Sequence, residues 1–423
     1  MNATSLWEAT SNYRNIKKSL YGEVETDAVI IGGGFTGLST AYHLLKKGVK
    51  AVVLEQYEVG WGASGRNAGM ILPGYHHSMT TIANQYGVSA AKELFKFSLE
   101  SINLVESIIK DHRILCDFNR NGHFLAAYKP KHMDALRREQ EFLQKYCNYK
   151  TAIIEKKDMP FVLDSSLYHG GLLDPQSFSF HPLNYALGLA KAVEELDGTI
   201  YENSQVIDIH YSSKYTIVRT TSGAIKAKHL VIATNGYTEG LIKKLSRSVL
   251  PIASYMIATE PLPPRLAKKL IPNNRMIFDT KNFLNYFRLT PDYRLIFGGK
   301  DSIRGVENNQ TFEDVHTELL KLFPELEGFS AEYKWGGLLG VTSDFFPHVG
   351  QLENGTHFAV GCSGHGAAIT TLLGKVIAQN ITQEDRVKSK LEKLPLKEIP
   401  FHGQRALIIN VVELYYKLLD KLA

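Results

Sequence analysis

The tightest constraint on this chain lies near its start. Asp27-Ala28-Val29-Ile30-Ile31 runs into Gly32-Gly33-Gly34-Phe35-Thr36-Gly37, then an apolar-periodic stretch, then Lys50-Ala51-Val52-Val53-Leu54-Glu55. That order predicts a strand, a glycine turn, a helix and a second strand ending in an acid. Glycines 32, 34 and 37 fit G-x-G-x-x-G, and Glu55 follows Gly37 by 55 − 37 = 18 positions. An acid about 20 residues on is the one that binds ribose hydroxyls. Gly32 permits the tight turn, Gly34 lets backbone amides approach a pyrophosphate, and Gly37 lets the helix pack on the strand. With Gly33, Phe35 and Thr36 they form a turn whose helix N-terminus faces phosphates. A glycine turn alone could be structural in another α/β unit, but here the strand, the helix and the acid are all present.

At 423 residues, 44% hydrophobic and 22% charged, the chain suits a soluble globular protein of about two domains. The net charge is 48 − 43 = +5, with no Lys/Arg run long enough for a nucleic-acid arm. Cys116, Cys147 and Cys362 are odd in number and lack C-x-x-C spacing, so neither a disulfide framework nor a zinc site is expected. A reducing, cytoplasmic setting fits. The N-terminus has no basic segment followed by an apolar one, so it is not read as a secretory signal. The apolar run from Ala28 to Leu45 is broken by glycines and reads as strand plus helix, not a transmembrane span. His76 and His77 are adjacent and read as loop residues; no metal is expected.

After Glu55 regular β/α alternation stops, and Val59 to Met70 follows as a small-residue loop containing Gly62, Ala63, Ser64, Arg66, Asn67, Ala68 and Gly69. Such a loop offers amides and a guanidinium to phosphates and a flat ring. Helices are expected over 86 to 112, around Met133 to Tyr146, from Pro182 through Leu196, and from Ala367 to Gln379. Strands are expected at Gln205-Val206-Ile207-Asp208-Ile209 and at Lys228 to Ala233, the latter ending in Ala233-Thr234-Asn235 at the edge where open α/β sheets bind ligands. Further strands are Ala253 to Thr259, Phe283 to Leu289 and Arg294 to Gly298, a second domain's sheet.

Together these residues resemble the FAD-dependent oxidoreductases related to D-amino acid oxidase, glycine oxidase and sarcosine oxidase. The resemblance spans nearly the whole chain. It rests on the N-terminal fingerprint, Ala233-Thr234-Asn235-Gly236, Thr342-Ser343-Asp344 with Pro347 and Gly350, and Gly361-Cys362-Ser363-Gly364-His365-Gly366. Gly62 to Gly69, His181 to Tyr185 and Tyr286-Phe287-Arg288 look more narrowly like the gamma-glutamylputrescine oxidase branch. The resemblance implies an α/β (overall α+β) fold in which a Rossmann-like FAD-binding domain (1–115, 169–250 and 331–385) is interleaved with an antiparallel-sheet substrate domain (116–168 and 251–330). A C-terminal extension with an amphipathic helix occupies 386–423. That helix, Arg405 to Leu422, is expected to pack on its own domain, peripheral membrane contact being the lesser alternative.

The implied reaction oxidises a C–N bond of a small amine or amino acid by hydride transfer to noncovalent FAD. Gly361, Gly364 and Gly366 would place amides and a positive helix end near a flavin carbonyl. His365 would assist there or cap the helix. Tyr286 and Arg288, two apart on a strand, share a face; Arg288 would hold a substrate carboxylate and Tyr286 orient it, unless Arg288 is an ordinary ion-paired residue. Sarcosine oxidase-like members carry a Lys for oxygen activation where this chain has Leu295-Ile296-Phe297, with Lys300 beyond, so the electron acceptor is O2 or another carrier. Two rivals remain: an enzyme oxidising a 2-hydroxy acid or polyol phosphate, and a nonenzymatic FAD-binding protein.

Overall fold

The computed structural model describes residues 4–12, 15–302, 309–384 and 390–400, and the side chains of 300–302 lie outside that description. The expected C-terminal helix over Arg405 to Leu422 also falls outside the described residues.

The first sheet is built around strand Gly22–Ile31, whose sequence becomes continuously apolar toward its C-terminal end. Parallel strands flank it on both sides, Gly223–Ile232 and Ala51–Leu54, with Ile31 paired to Ile232 and to Leu54. Thr199–Tyr201 extends one edge and His357–Val360 the other, followed by antiparallel His348–Gln351. Because side chains alternate across a strand, Ala28 and Ile30 enter one core and Val29 and Ile31 another. The first core holds the helices Phe35–Leu45, Val88–Asp111, Pro182–Glu195 and Gly366–Thr382. The second is closed by the hairpin Val206–Tyr211 and Thr216–Thr220. At residue 374 an added Cβ would lie 2.5 Å from Thr36 O, so glycine is what lets Gly366–Thr382 approach the first helix this closely.

The second sheet has eight strands in the order Ala331–Val341, Leu250–Thr259, Leu295–Ser302, Tyr286–Leu289, Met276–Asp279, His123–Ala126, Gly170–Asp174 and Ala152–Glu155. Its pairings are antiparallel except that between Met276–Asp279 and His123–Ala126. One face carries helix Asn309–Leu322 over Phe287 and Phe297; the other, through Met256, Ile296 and Trp335, meets the dinucleotide half. Two of its strands lie in stretches the sequence assigned to the first domain, Gly170–Asp174 and Ala331–Val341. Their assignment is corrected because each is fixed by pairing with a distant strand, which local pattern does not reveal. The helix expected over 86 to 112 is found as Val88–Asp111, and Gly87, at φ +86°, separates it from a preceding helix, Met79–Tyr86, that the sequence reading did not anticipate.

Candidate functional site

At the C-terminal ends of the central parallel strands a cavity of about 1070 Å3 opens and runs across to the second sheet. Its near end is the predicted turn. Gly32 has φ +114°, and a Cβ there would meet Ala233 O at 2.6 Å; at Gly37 it would lie 1.9 Å from Gly32 O. Glu55 ends the second strand, accepting from Gly33 N at 2.6 Å and from Tyr57 N at 3.0 Å. Burial raises its pKa despite those bonds, as expected for a carboxylate facing a cavity that takes hydrogen-bonding hydroxyls. Val206 and Gln205 border the cavity beside it, because Ser204 N donates to Glu55 O.

The loop Gly62–Gly69 forms the next wall, and its side chains serve differently from the expectation. Ser64 Oγ accepts from Phe35 N at 2.9 Å, leaving its own hydrogen to donate into the cavity. A Cβ on Gly34 would sit 2.7 Å from that Oγ. Arg66 borders the cavity, yet its Nε donates to Trp61 O and its Nη2 pairs with Glu8 at 3.3 Å. Asn67 Nδ2 donates to Ala63 O and Ser64 O, and its Oδ1 accepts from Gly69 N. These two polar side chains brace the loop, so the cavity is offered chiefly the loop's backbone, with Gly62, Ala63 and Ala68 in the wall.

Across the cleft, Ala233 extends the strand by donating its N–H to Ile31 O. Asn235, at φ +43°, accepts from Gly361 N at 2.9 Å and donates to Cys362 Sγ at 3.3 Å, fastening the C-terminal glycine motif to the strand end; Thr234 lies beside it in the wall. Helix Gly366–Thr382 then starts at the cavity, with Gly364, His365 and Gly366 in the wall. His365 makes no side-chain cap bond, which excludes the capping alternative. Burial, with His76 nearby, lowers its pKa to about 4, so the imidazole is neutral at neutral pH.

The far end is lined by the second sheet and its loops: Ser254, Met256, Phe278, Lys281 to Leu284, and Tyr286. Tyr286 reaches across the intervening strand to place its hydroxyl 2.9 Å from that of Ser254. Arg288 does not join it and is corrected here. Its guanidinium is buried, donating from Nε to Ala68 O at 2.7 Å, from Nη2 to Phe180 O at 2.8 Å and from Nη1 to Leu289 O at 3.2 Å, and it lies against the Trp7 ring. The shared strand face is real, but two residues advance the chain about 7 Å, past the end of the cavity. Sequence reasoning missed His76, whose ring stacks on Phe345 at 4.5 Å in the cavity wall, and Ser254. Nothing near His76 in the sequence marks it; Phe345 adjoins the Thr342-Ser343-Asp344 motif, the one local signal for the pair.

A glycine turn that no Cβ could share, a half-buried acid, a serine hydroxyl with a hydrogen to give and two helix N-termini suit a dinucleotide; the neighbouring chamber, roofed by a separate sheet, suits a flat redox ring and its substrate. Fold and site thus define a dinucleotide-dependent oxidoreductase. The family profile described as FAD dependent oxidoreductase (DAO) matches residues 27–380. A probable oxidoreductase OrdL of Haemophilus influenzae is 35% identical over 402 residues, 93% of this chain and 92% of that protein. Gamma-glutamylputrescine oxidoreductase of Escherichia coli is 33% identical over 426 residues, 98% and 99% of the two chains. The crystal structure of glycine oxidase from Geobacillus kaustophilus superposes with a TM-score of 0.73 at 21% identity, covering 89% of this chain and 99% of that one. The chain belongs to the DAO family of FAD-dependent oxidoreductases, and FAD is its cofactor. No described helix is long and apolar enough to cross a membrane.

Proposed function

We propose that this enzyme oxidises a C–N bond of a small amine or amino acid of the gamma-glutamylputrescine kind, in the cytosol, with noncovalently held FAD. The observation that carries the reading is the character of the far chamber. It presents aromatic rings, a Tyr286–Ser254 hydroxyl pair and an imidazole kept neutral by burial. Among the described residues Arg66 and Lys281 are the cations of the wall, and each faces a carboxylate, Glu8 and Glu318 respectively. With its cations paired and its imidazole neutral, a chamber of this kind disfavours an ammonium at the reacting end and favours the free amine. The free amine is the reactive form, because its lone pair stabilises the positive charge that develops as hydride leaves the neighbouring carbon.

FAD, when bound, supplies the hydride acceptor. The chain's share is to orient the amine on the hydroxyl pair and to exclude water behind Phe278 and Phe345. Noncovalent attachment is supported by Cys362, whose thiol is hydrogen-bonded to Asn235 and held protonated by burial. Similarity over nearly the full length to gamma-glutamylputrescine oxidoreductase supports the substrate class.

The test is anaerobic titration of the FAD-loaded protein with gamma-glutamylputrescine, simpler amines, glycine and 2-hydroxy acids while the flavin spectrum is followed. Bleaching by an amine is expected. Bleaching by hydroxy acids alone overturns the reading, and the rate of recovery on admitting air tells O2 from another acceptor.

A further inference from the structure

We propose that Trp7 and Glu8 are positioning residues for the cofactor, strapping the loop Gly62–Gly69 from behind while its front lines the FAD cleft. The short helix Leu6–Ala9 is held by a capping box between Ser5 and Glu8. It plugs into the molecule through Trp7, which is 2% exposed. The Trp7 Nε1–H donates to Asn67 O at 2.8 Å, and its ring packs against His181 at 4.8 Å and edge-on to Trp335 at 6.3 Å. Glu8 gives its other carboxylate oxygen to Arg66. Trp7 and Glu8 themselves precede residue 27, where the match to the family profile begins, while their partners lie within it.

The loop's carbonyls show what this achieves. Arg66 O accepts from Trp335 Nε1, Asn67 O from Trp7 Nε1, Ala68 O from Arg288 Nε and Gly69 O from Phe180 N. Four successive carbonyls are therefore each held by a donor from a different, distant part of the chain. Because the peptide unit is planar and trans, a carbonyl drawn back turns the next residue's N–H the opposite way. Asn67 and Ala68 border the cavity, whereas Trp7 and Arg288 do not, so the N–H groups of Asn67 and Ala68 turn toward the cofactor's side, while that of Gly69 is taken by Asn67 Oδ1. Trp7 thus sets the 67–68 peptide plane, and Glu8 fixes the Arg66 guanidinium, which has no other carboxylate partner among its described contacts.

Further described residues of the N-terminal segment, up to Leu20, are also fastened to the body of the protein. Thr10 Oγ1 bonds His181 Nε2, Asn12 N donates to Asn184 Oδ1, Lys17 N to Glu202 Oε2, and Leu20 N to Ser204 Oγ. Its described residues therefore touch the cavity-lining loop at one end and the segment beside Val206 and Glu55 at the other, and none of them lines the cavity. FAD binding and docking of the strap are predicted to reinforce each other.

The test uses full-length protein stripped of flavin and reloaded, comparing wild type with Trp7→Phe, Trp7→Ala and Glu8→Gln. FAD affinity is read by quenching of flavin fluorescence, and thermal melting is measured with and without FAD. Trp7→Phe keeps an aromatic ring, smaller than the indole, and removes the hydrogen bond to Asn67 O, so it should weaken FAD binding about three- to tenfold. The rise in melting temperature that FAD confers should shrink in all three variants, and FAD should slow proteolysis of the N-terminal segment in wild type. Unchanged FAD affinity overturns the proposal, whether the variants melt like wild type or the loaded and stripped forms fall together, the mark of a merely structural anchor. Should Trp7→Ala fail to fold, Trp7→Phe and Glu8→Gln decide. None of these readouts involves a substrate, so failure of the amine-oxidation reading leaves this one standing.

Discussion

Arg288 Nε donates to Ala68 O at 2.7 Å, joining the second sheet to the loop that borders the large cavity. The sequence suggests a substrate anchor; the bond makes Arg288 a brace. Burial lowers its pKa to about 10, which still leaves it charged at neutral pH. Arg288→Ala leaves the Ala68 and Phe180 carbonyls without this donor, at about 1–3 kcal/mol for each one left unsatisfied. The variant should melt earlier and lose flavin more readily. Any residual activity should fall by the same factor for substrates with and without a carboxylate; selective loss on the carboxylate substrate would restore Arg288 to the binding site.

Glu55 is predicted to separate cofactor affinity from stability of the flavin-free protein. Its folded-state pKa is raised by burial, so its contribution is favourable at low pH, below the unfolded value, and is lost as pH rises through the folded value. Glu55→Gln removes that ionisation. The flavin-free variant should be at least as stable as wild type at neutral pH, while FAD binding weakens by roughly 1.5–3 kcal/mol through loss of a charge-assisted acceptor. Chemical denaturation of stripped protein and FAD titration measure the two; a parallel fall in both would make Glu55 structural.

What the sequence discloses and what it hides follow from the range over which each feature is determined. The glycine turn and Glu55 are legible because strand, turn, helix and acid are set by neighbours in the chain, and the steric limits at Gly32 and Gly37 come from the same unit or its paired strand. Arg288 is misread, and the bracing role of Arg66 is hidden, because a guanidinium in a polar loop or on a strand face declares a donor but not its acceptor. Their partners, Glu8 and Ala68, lie 58 and 220 positions away. Strand Ala331–Val341, rich in glycine, resembles the nucleotide motifs around it, and only its pairing with Leu250–Thr259 places it in the other sheet.

Asp279 should impose a pH dependence on stability. It is buried under the loop lining the far chamber, accepting from Lys281 N, Asn285 N and the Tyr168 hydroxyl. Burial, opposed by Lys281 and these bonds, raises its pKa from 3.8 to about 6. A raised carboxylate contributes stability below the unfolded value and loses it as pH climbs through about 6, so ionised Asp279 carries a cost on the order of 3 kcal/mol at pH 7. Asp279→Asn keeps an acceptor for the two amides and removes the ionisation. Denaturation of both proteins from about pH 4 to 7.5 should show wild type losing ground to the variant as pH rises through about 6; a constant difference would mean Asp279 does not titrate there.

Gly298 is predicted to control the far chamber without touching it. It pairs with Tyr286 on one side and Met256 on the other, and the Tyr286 ring lies across it to reach Ser254. A Cβ at residue 298 would stand 2.1 Å from the ring carbons Cε2 and Cζ, so alanine must push the ring aside and part the two hydroxyls. The FAD half of the cleft is built from other elements. Gly298→Ala should therefore keep its flavin with unchanged affinity while amine-driven flavin reduction slows on the order of 10²-fold, the scale of misplacing a contact by about an ångström. Tyr286→Phe, which removes the hydroxyl but leaves the ring, should slow reduction less. Rapid-mixing measurements on both variants separate the possibilities: equal slowing would assign the whole effect to the hydroxyl, and wild-type reduction in Gly298→Ala would remove Tyr286 from substrate positioning.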